Sequence, residues 1–382
     1  MRLQIWAPGF SRFGGGIGTF SRDLATGLRD LGHELRLFGK ADLPGEWDGM
    51  PVWGAGKYSR GLRSPIFAGA VLAASARHRP DHVISTHLNF GAVARLAKRG
   101  TGTSFTLVAH GIDVHDALSP VRHAALRSAD RVIAVSAWTR ARVLGLGGID
   151  PCRVVVLPNT LDETRFTIGC RSGELAKRYA IRPEEKVVLT VARLSSSDRH
   201  PGDGGPSTER AGGYKGCDRM LRALPAVQAA CGPVRYLIAG HGSDRGYLES
   251  IVRELGLHDS VTFAGFVPDT ELADHYRLAD VFAMPSTGEG FGIVFLEAMA
   301  CGTPVLGGNR DGSVDALDGG RLGRLVDPTK VDAIAEGLIA LLGRDGPPLW
   351  FHRDALRAAV IDRFGRAVFL ASLGALWPLT LH

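Results

Sequence analysis

The sequence predicts an α/β protein made of two successive domains, each built on a doubly wound parallel β-sheet. Along the first half of the chain, short apolar runs alternate with amphipathic stretches, as strands and helices do in such a sheet. The same alternation resumes near residue 186. With 382 residues, the chain is long enough to give each half a core of its own.

The first half contains apolar runs with the length and composition of strands. The first two runs flank a predicted helix whose apolar face comprises Phe20, Leu24, Leu28 and Leu31, and Gly32 marks its expected end. The predicted strands are Leu3–Trp6, Glu34–Phe38, His82–Thr86, Phe105–Ala109, Arg131–Ser136 and Val154–Leu157.

The second half repeats the pattern. Its predicted strands are Val187–Val191, Tyr236–Ala239, Val261–Ala264, Val281–Met284, Pro304–Leu306 and Leu325–Asp327, with helices at Arg219–Ala229, Arg245–Leu255 and Thr270–Leu278. The strand signal lapses between Pro158 and Lys186, which places the join of the two domains there. We therefore expect an N-terminal domain over 1–165, a C-terminal domain over 166–350, and tail helices over 351–382 that pack back toward the N-terminal domain.

The composition is that of an ordinary globular protein, with 45% hydrophobic and 22% charged residues. The five cysteines form no Cys-x-x-Cys pair, which argues against a disulfide framework and against a cysteine zinc site. The chain has no apolar run of about 18 residues. Its N-terminus resembles a first strand more than a signal peptide, so we expect a cytoplasmic protein.

The positive charge lies in the first half of the chain. Residues 1–165 carry a net charge of +8 and the remainder −2. Such asymmetry indicates an anionic partner of the first half, such as a membrane surface, an anionic lipid or a phosphorylated acceptor, unless it is only a solvated basic surface. Nucleic acid is not favoured, because the basic residues are scattered and no recognition motif is present.

The stretch from Pro285 to Val305 combines a strand end, a glycine-rich turn and a helix start. Such a junction offers free backbone N–H groups and the positive end of a helix dipole to an anion. It also contains Glu289 and Glu297, which suit the hydroxyl groups of a sugar or a ribose better than a phosphate. The simpler interpretation is that these acids only favour the N-terminal end of a helix, although Glu297 lies among apolar neighbours and needs a partner.

A second glycine turn, Gly14-Gly15-Gly16-Ile17-Gly18, follows the first predicted strand. It is a poor dinucleotide fingerprint, because Ser21 stands where a third glycine is needed and the second strand ends without an acid. Gly15 and Gly16 instead suit a close approach of backbone to a diphosphate or to the reacting groups.

In these motifs the chain resembles the family 4 glycosyltransferases, retaining enzymes of the two-domain GT-B fold that use nucleotide-sugar donors. The resemblance covers nearly the whole chain and implies two facing Rossmann-like domains with an interdomain cleft. The motifs that carry it are Gly14–Gly18, His110–Asp113, Ala129–Ser136, Leu157–Asp162 with Phe166, Val191–Arg193, Tyr214–Gly216, Ala239–Gly242, Phe263–Gly265, Pro285–Ser286, Glu289–Val305 and Gly323–Pro328. The pair of glutamates eight residues apart is the most specific of them.

The resemblance assigns roles to individual residues. Arg193 and Lys215 are expected to bind the donor diphosphate, where fixed cations stabilise the charge of the leaving group. Glu289 is expected to contact the transferred sugar and Glu297 the ribose. Backbone amides of Phe291, Gly292 and Ile293 would face the phosphates. His110, at the end of a strand, resembles the histidine that lies opposite the donor sugar, with Asp113 orienting it.

The family retains anomeric configuration, and no residue here is an obvious nucleophile. Front-face attack is therefore expected, in which the leaving phosphate accepts the acceptor's proton. The donor is expected to be a UDP- or GDP-sugar. No cofactor is expected, and the two basic residues can replace a metal.

Three features depart from the family pattern. Asn159-Thr160-Leu161-Asp162 stands where Asn-Gly-Val is usual, and Asp311-Gly312-Ser313-Val314-Asp315 replaces Gly-Gly-x-x-Glu. The Ser- and Gly-rich stretch 195–213 separates Arg193 from Lys215, as a surface insertion or as a lid.

The sequence therefore predicts a hexosyltransferase with a cell-envelope polysaccharide or glycolipid acceptor, reached by peripheral contact with the inner face of the membrane. A soluble enzyme that glycosylates a small sugar, sugar phosphate or metabolite is the alternative. A nicotinamide-dependent oxidoreductase shares the fold class, but this sequence lacks the dinucleotide fingerprint of such enzymes. A binding protein without activity is disfavoured by the presence of Arg193, Lys215, Glu289 and Glu297.

Overall fold

The computed structural model describes residues 1–10, 15–114, 118–194 and 213–378. The chain forms two compact units. Unit 1 comprises Met1–Thr160 and the segment from Arg366 onward, and unit 2 comprises Leu161–Gly365. The sequence-based boundaries at 165 and 350 differ from this division, because the chain returns to unit 1 only at Arg366. Except for Gly213, the stretch 195–213 lies outside the described residues.

Unit 1 contains an eight-stranded sheet in the order β3-β4-β2-β1-β5-β6-β7-β8, parallel except for the β3–β4 pair. All six predicted strands are present. The sheet also contains the hairpin β3–β4, which the sequence analysis did not predict. The strands are β1 (Arg2–Ala7), β2 (Glu34–Gly39), β3 (Gly45–Trp47), β4 (Met50–Gly54), β5 (His82–Ser85), β6 (Ser104–Ala109), β7 (Arg131–Ala134) and β8 (Val154–Val156).

The missed hairpin turns at Asp48 and Gly49, whose φ angles are 51° and 74°. Two consecutive residues with positive φ form the tight turn that Asp-Gly favours between antiparallel strands. The dipeptide was therefore a usable signal, but the strands that flank it are short and contain Pro51.

Unit 2 contains a six-stranded, fully parallel sheet in the order β11-β10-β9-β12-β13-β14. Its strands are β9 (Lys186–Val191), β10 (Val234–Ala239), β11 (Val261–Gly265), β12 (Val281–Met284), β13 (Val305–Gly308) and β14 (Arg324–Val326), in agreement with the sequence prediction. Parallel strands with helical crossovers bring all their carboxyl ends to one edge of the sheet.

Helices connect the strands. They are α1 (Gly15–Asp30), α2 (Arg60–His78), α3 (Gly91–Thr101), α4 (Pro120–Ser128), α5 (Ala137–Gly145), α6 (Gly173–Arg178), α7 (Cys217–Cys231), α8 (Arg245–Glu254), α9 (Leu272–Leu278), α10 (Ile293–Ala300), α11 (Ser313–Ala316), α12 (Val331–Leu342), α13 (Pro348–Phe351), α14 (Arg353–Phe364) and α15 (Arg366–Leu376). Short 3-10 helices occur at Leu88–Phe90, Ile112–Val114, Pro151–Arg153 and Asp318–Gly320. Within the described residues, no helix combines the length and apolar character that are needed to cross a bilayer.

The first helix has most of the predicted apolar face, since Phe20, Leu24 and Leu28 are each no more than 1% exposed. The fourth predicted residue, Leu31, lies just after the last helical residue, Asp30, and is only partly buried. The predicted tail, residues 351–382, divides between the two units. Gly365 divides it into α14, which belongs to unit 2, and α15, which belongs to unit 1 and leaves Val368 38% exposed. Phe369 and Leu373 form the buried face of α15.

Helix α14 anchors the segment with which unit 2 begins. The Arg357 guanidinium donates hydrogen bonds to the carbonyl oxygens of Glu163 at 2.8 Å and Ala300 at 2.9 Å, and also to that of Phe166. Arg353 donates to the Gly169 carbonyl at 2.8 Å. These charge-assisted bonds tie the first residues of unit 2 to its last long helix.

We expect Arg357→Ala to lower the free energy of unfolding by about 2–4 kcal/mol, because three carbonyl oxygens lose a charged donor. Arg357→Lys should restore only part of the loss, since one ammonium group cannot reproduce the planar fork. Denaturant titration measures the change. Arg363→Ala on the same helix is the control. Its ion pair with Asp318 is largely exposed, so we expect a loss below about 1 kcal/mol. Equal losses in the two alanine variants would contradict the anchoring role.

Candidate active site

The carboxyl edge of the unit 2 sheet contains a topological switch point. The chain leaves β9 toward β10 on one side, whereas β12 pairs with β9 on the other side. In open α/β sheets, such a switch point is where ligands bind. The residues that follow β9 lead to Arg193, and those that follow β12 lead to the glycine-rich turn with Glu289. Arg193 and Glu289 therefore lie at this edge.

Lys215 and Glu289 form an ion pair between Lys215 Nζ and Glu289 Oε2. The two side chains are 16% and 18% exposed, so the pair is largely shielded from water. Burial alone lowers the pKa of Lys215, but the Glu289 carboxylate outweighs it and holds that pKa above its usual value. Lys215 is therefore a permanent cation, and its ammonium group also lies over the Tyr214 ring at 4.7 Å.

Close backbone packing holds Lys215 beside the turn. Gly216, with φ of 80°, precedes α7, and a Cβ atom there would lie 2.3 Å from the Pro285 carbonyl oxygen. Only glycine permits this approach. The Thr287 N–H donates to the Tyr214 carbonyl at 2.9 Å. The start of α7 and the turn after β12 therefore form one unit of structure.

Arg193 and Lys215 line one small cavity, together with Gly213, Cys217 and Asp244. Arg193 is exposed at the carboxyl end of β9, where the sequence places it. Asp244 is 7% exposed, and its Oδ2 atom has no hydrogen-bond partner within the described part of the chain. Two cations at the mouth of the switch point can bind a polyanionic group.

Helix α10 begins behind the turn. Gly292 has φ of 93° and directly precedes Ile293, the first residue of the helix. Phe291 is 1% exposed and packs edge-on against Phe364, with ring centroids 5.5 Å apart. The predicted residues 291–293 thus occupy the N-terminal end of α10, where backbone N–H groups lack helical partners.

Glu297 has a partner that the sequence did not indicate. The Tyr276 hydroxyl donates to Glu297 Oε2 at 2.7 Å, and Tyr276 is itself fully buried against Phe166 and Phe282. Burial raises the pKa of Glu297 to about 7, against the opposing effects of Tyr276 and the nearby Arg165. Tyr276 lies 21 residues before Glu297 on a different helix, so no local spacing rule could pair them.

In unit 1, His110 and Asp113 follow β6 and are 8% and 6% exposed. The His110 Nε2 atom lies 2.8 Å from the Thr86 carbonyl oxygen. A carbonyl only accepts, so Nε2 carries the hydrogen and Nδ1 is left as an acceptor. Burial lowers the pKa of His110 to about 4, which keeps the ring neutral.

Asp113 acts on the backbone of His110 and not on its ring. Its Oδ1 atom accepts from the His110 N–H at 2.8 Å, whereas its Oδ2 atom has no partner among the described residues. Burial raises the pKa of Asp113 to about 7. Orientation of the imidazole therefore comes from Thr86, which sequence reasoning did not identify.

Of the predicted glycines in unit 1, Gly15 has φ of 59° and is the first residue of α1. Among the described residues, a Cβ atom at Gly16 would meet nothing within 4 Å. Gly14 lies outside the described residues.

Two family models match the chain. The model for group 1 glycosyl transferases matches residues 206–349, and that for the glycosyl transferase 4-like domain matches residues 15–160.

Curated relatives are similar over most of their length. A GDP-mannose-dependent α-(1-6)-phosphatidylinositol monomannoside mannosyltransferase of Mycobacterium tuberculosis is 34% identical over 312 residues, which cover 74% of this chain and 76% of the relative. A D-inositol 3-phosphate glycosyltransferase of Actinosynnema mirum is 29% identical over 404 residues and covers 92% of both chains.

Solved structures share the fold. HepE from Anabaena, in complex with UDP and glucose, has a TM-score of 0.78 at 21% identity, covering 98% of this chain and 99% of that one. Sucrose-phosphate synthase from Thermosynechococcus elongatus has a TM-score of 0.79 at 22% identity, covering 99% and 98%.

The raised pKa of Glu297 predicts a pH-dependent stability. Between about pH 4.5 and pH 7 the unfolded chain loses this proton while the folded protein keeps it, so the free energy of unfolding falls as the pH rises. Glu297→Gln removes this penalty. We expect the free energy of unfolding of the variant, relative to that of the wild type, to rise by on the order of 1–3 kcal/mol when the pH is raised from 5 to 8.

Denaturant titrations at the two pH values measure this gain. Glu336→Gln on α12, where the side chain is exposed, should show the same difference from the wild type at both. A Glu297→Gln variant that behaves like this control would contradict the assignment.

Proposed function

The chain belongs to the group 1 glycosyl transferases, the retaining family 4 enzymes of GT-B fold, and from this premise we propose how its residues divide the work of a nucleotide-sugar-dependent hexosyltransferase. Unit 2 would bind the donor and unit 1 the acceptor. The observation that carries the proposal is the Lys215–Glu289 pair at the switch point of the unit 2 sheet, with Arg193 beside the same cavity.

The donor diphosphate would bind to Arg193 and Lys215. Departure of a nucleoside diphosphate concentrates negative charge on its terminal phosphate, and cations that are already in place stabilise that charge without reorganisation. Lys215 keeps its proton because its pKa lies above the usual value. Amides at residues 291–293 would add donors from the end of α10. With these groups available, we propose that no metal ion is required.

The two glutamates would bind hydroxyl groups. When a phosphate approaches Lys215, it competes with Glu289 for the ammonium protons, which frees a carboxylate oxygen for the hydroxyls of the transferred hexose. Glu297 would accept from the ribose hydroxyls, with Tyr276 holding one of its oxygens. This arrangement explains why acids lie next to a diphosphate site.

The reaction would proceed by front-face attack. The bond between the anomeric carbon and the diphosphate breaks, the acceptor oxygen bonds to that carbon on the same face, and a phosphate oxygen takes the acceptor's proton. The products are the glycoside and the nucleoside diphosphate. Neutral His110 would offer Nδ1 as a hydrogen-bond acceptor to a sugar hydroxyl, with Asp113 fixing its backbone. Gly15 and Gly16 would allow close approach of the turn to the reacting groups.

For the donor, we propose a GDP- or UDP-sugar, with GDP-mannose as the first candidate because the 34% identical relative is named for it. The relatives' names also divide between a phosphatidylinositol mannoside and a free inositol phosphate. We favour the lipid-linked acceptor, because unit 1 is basic, and keep the small phosphorylated acceptor as the alternative.

A surface of unit 1 suits peripheral contact with an anionic membrane. Leu62 is 55% exposed, and Lys57 and Arg60, five and two residues before it in the chain, are exposed as well. Exposed leucines that are flanked by basic residues combine apolar insertion with attraction to anionic lipids.

We expect GDP-mannose to raise the melting temperature of the protein by several degrees at millimolar concentration, because a ligand that binds only the folded state stabilises it. A thermal-shift and hydrolysis panel of UDP-, GDP- and ADP-sugars measures this, and the shift should persist in EDTA. Glu297→Ala should lose most of the shift and the matched Glu336→Ala should keep it. The donor site is wrong if no nucleotide sugar stabilises the wild type, or if Glu297→Ala responds equally.

We also expect the protein to sediment with vesicles that contain 30% phosphatidylglycerol at low salt and to dissociate at 0.5 M NaCl. The double variant Lys57→Glu, Arg60→Glu should weaken binding at least tenfold. Lys177→Glu, Lys330→Glu has the same charge change on exposed residues of unit 2 and should bind more tightly than the first variant. Absence of wild-type binding at low salt would favour the small acceptor.

A further inference from the structure

Asp311 follows β13, the strand that pairs with β12. It is 1% exposed, and its carboxylate accepts three hydrogen bonds. Its Oδ2 atom accepts from the Ser286 hydroxyl and from the Glu289 N–H, both at 2.7 Å, and its Oδ1 atom accepts from the Ser313 N–H at 2.9 Å. The side chain therefore connects the turn after β12 to the start of α11.

The neighbouring glycine completes the contact. The Gly312 N–H donates to the Glu289 carbonyl at 2.8 Å, so both backbone polar groups of Glu289 are bonded to the dipeptide Asp311-Gly312. A Cβ atom at Gly312 would lie 2.0 Å from the Gly290 carbonyl oxygen, so this approach requires glycine.

We infer that Asp311 is a positioning residue for the transfer reaction, which fixes the backbone of Glu289 so that its carboxylate meets Lys215 and, on donor binding, the hexose. The inference rests on the proposed function of Glu289. A flexible Glu289 backbone would let the carboxylate move by an ångström or more, and displacement of that size costs about 100-fold in rate when a group must be aligned with the reacting atoms.

The geometry requires a carboxylate at position 311. Donors face both of its oxygens, so the amide of asparagine can satisfy only one side and must point its NH₂ group at an N–H on the other. Burial raises the pKa of Asp311, while the bonds from Ser286 and the two backbone N–H groups oppose that shift.

We expect Asp311→Asn to lower kcat/KM for the donor by about 10- to 100-fold. The loss should be mostly in kcat if Glu289 acts on the transferred sugar in the transition state. Ser286→Ala removes one of the three donors and should cause a smaller loss, which keeps the test usable if Asp311→Asn folds poorly. In a Glu289→Gln background, Asp311→Asn should change kcat/KM by less than about threefold, because it acts through Glu289.

The control is Asp327→Asn. Asp327 follows the next strand, and it accepts from the Thr329 hydroxyl and N–H and from the Arg310 guanidinium at 2.7 Å. These bonds lower its pKa to about 2. This variant should lose stability without the loss in kcat/KM, so it separates a general effect on unit 2 from an effect on Glu289.

Amide hydrogen exchange gives a readout that needs no activity. Exchange at Glu289 and Ser313 should accelerate at least tenfold in Asp311→Asn and stay unchanged in Asp327→Asn. Unchanged exchange in Asp311→Asn would overturn the positioning contact. If exchange accelerates but Asp311→Asn keeps the wild-type kcat/KM, the role of the contact in the reaction is overturned. The same holds if the losses of Asp311→Asn and Glu289→Gln are additive in the double variant. If the wild type transfers hexose from none of the nucleotide sugars, the proposed function is overturned, and with it the catalytic part of the inference. The exchange measurement would still test the contact between Asp311 and the Glu289 backbone.

Discussion

The site depends on how closely backbones approach one another around the turn after β12. Three glycines from two other segments, the start of α7 and the stretch from the end of β13 to α11, touch this turn. Cβ atoms on Gly216, Gly308 and Gly312 would lie 2.3, 2.3 and 2.0 Å from the carbonyl oxygens of Pro285, Ser286 and Gly290, respectively. No side chain fits at these points. The turn is therefore held by main-chain contact on several sides, and the side chains of Lys215, Glu289 and Asp311 are positioned as a result.

Burial of charge is the second constraint. Unit 2 brings three acids into shielded surroundings and gives each a different partner: Glu289 an ammonium group, Glu297 a phenol hydroxyl, and Asp311 a hydroxyl with two backbone N–H groups. The pKa values of Glu297 and Asp311 are raised, so both acids are held at a cost in stability. Proteins accept such a cost at functional sites and compensate elsewhere, here through bonds such as those from Arg357.

The sequence predicted most of the fold because both sheets bury their strands as short apolar runs. It missed the β3–β4 hairpin, whose strands lie at the edge of the sheet and have only three and five residues. In the candidate site, it singled out Lys215, Glu289 and Glu297, but not the side chains that hydrogen-bond to Glu297 and to the Glu289 backbone. Tyr276 is 21 residues from Glu297 in the sequence, and Asp311 is 22 residues from Glu289. Packing alone brings these pairs together. Asp311 appeared in the sequence only as a departure from the family pattern.

The connectivity of the tail has a consequence for how such chains diversify. Because α15 belongs to unit 1, the whole of unit 2 is an insertion between Thr160 and Arg366 of the other unit. An exchange of unit 2 between relatives must therefore splice the chain at two points. A cut at the first junction alone would leave unit 1 without the helix whose Phe369 packs edge-on against Phe20, with ring centroids 6.3 Å apart. Recombination of one unit 2 with a new unit 1 thus requires a domain insertion and not the fusion of two segments end to end.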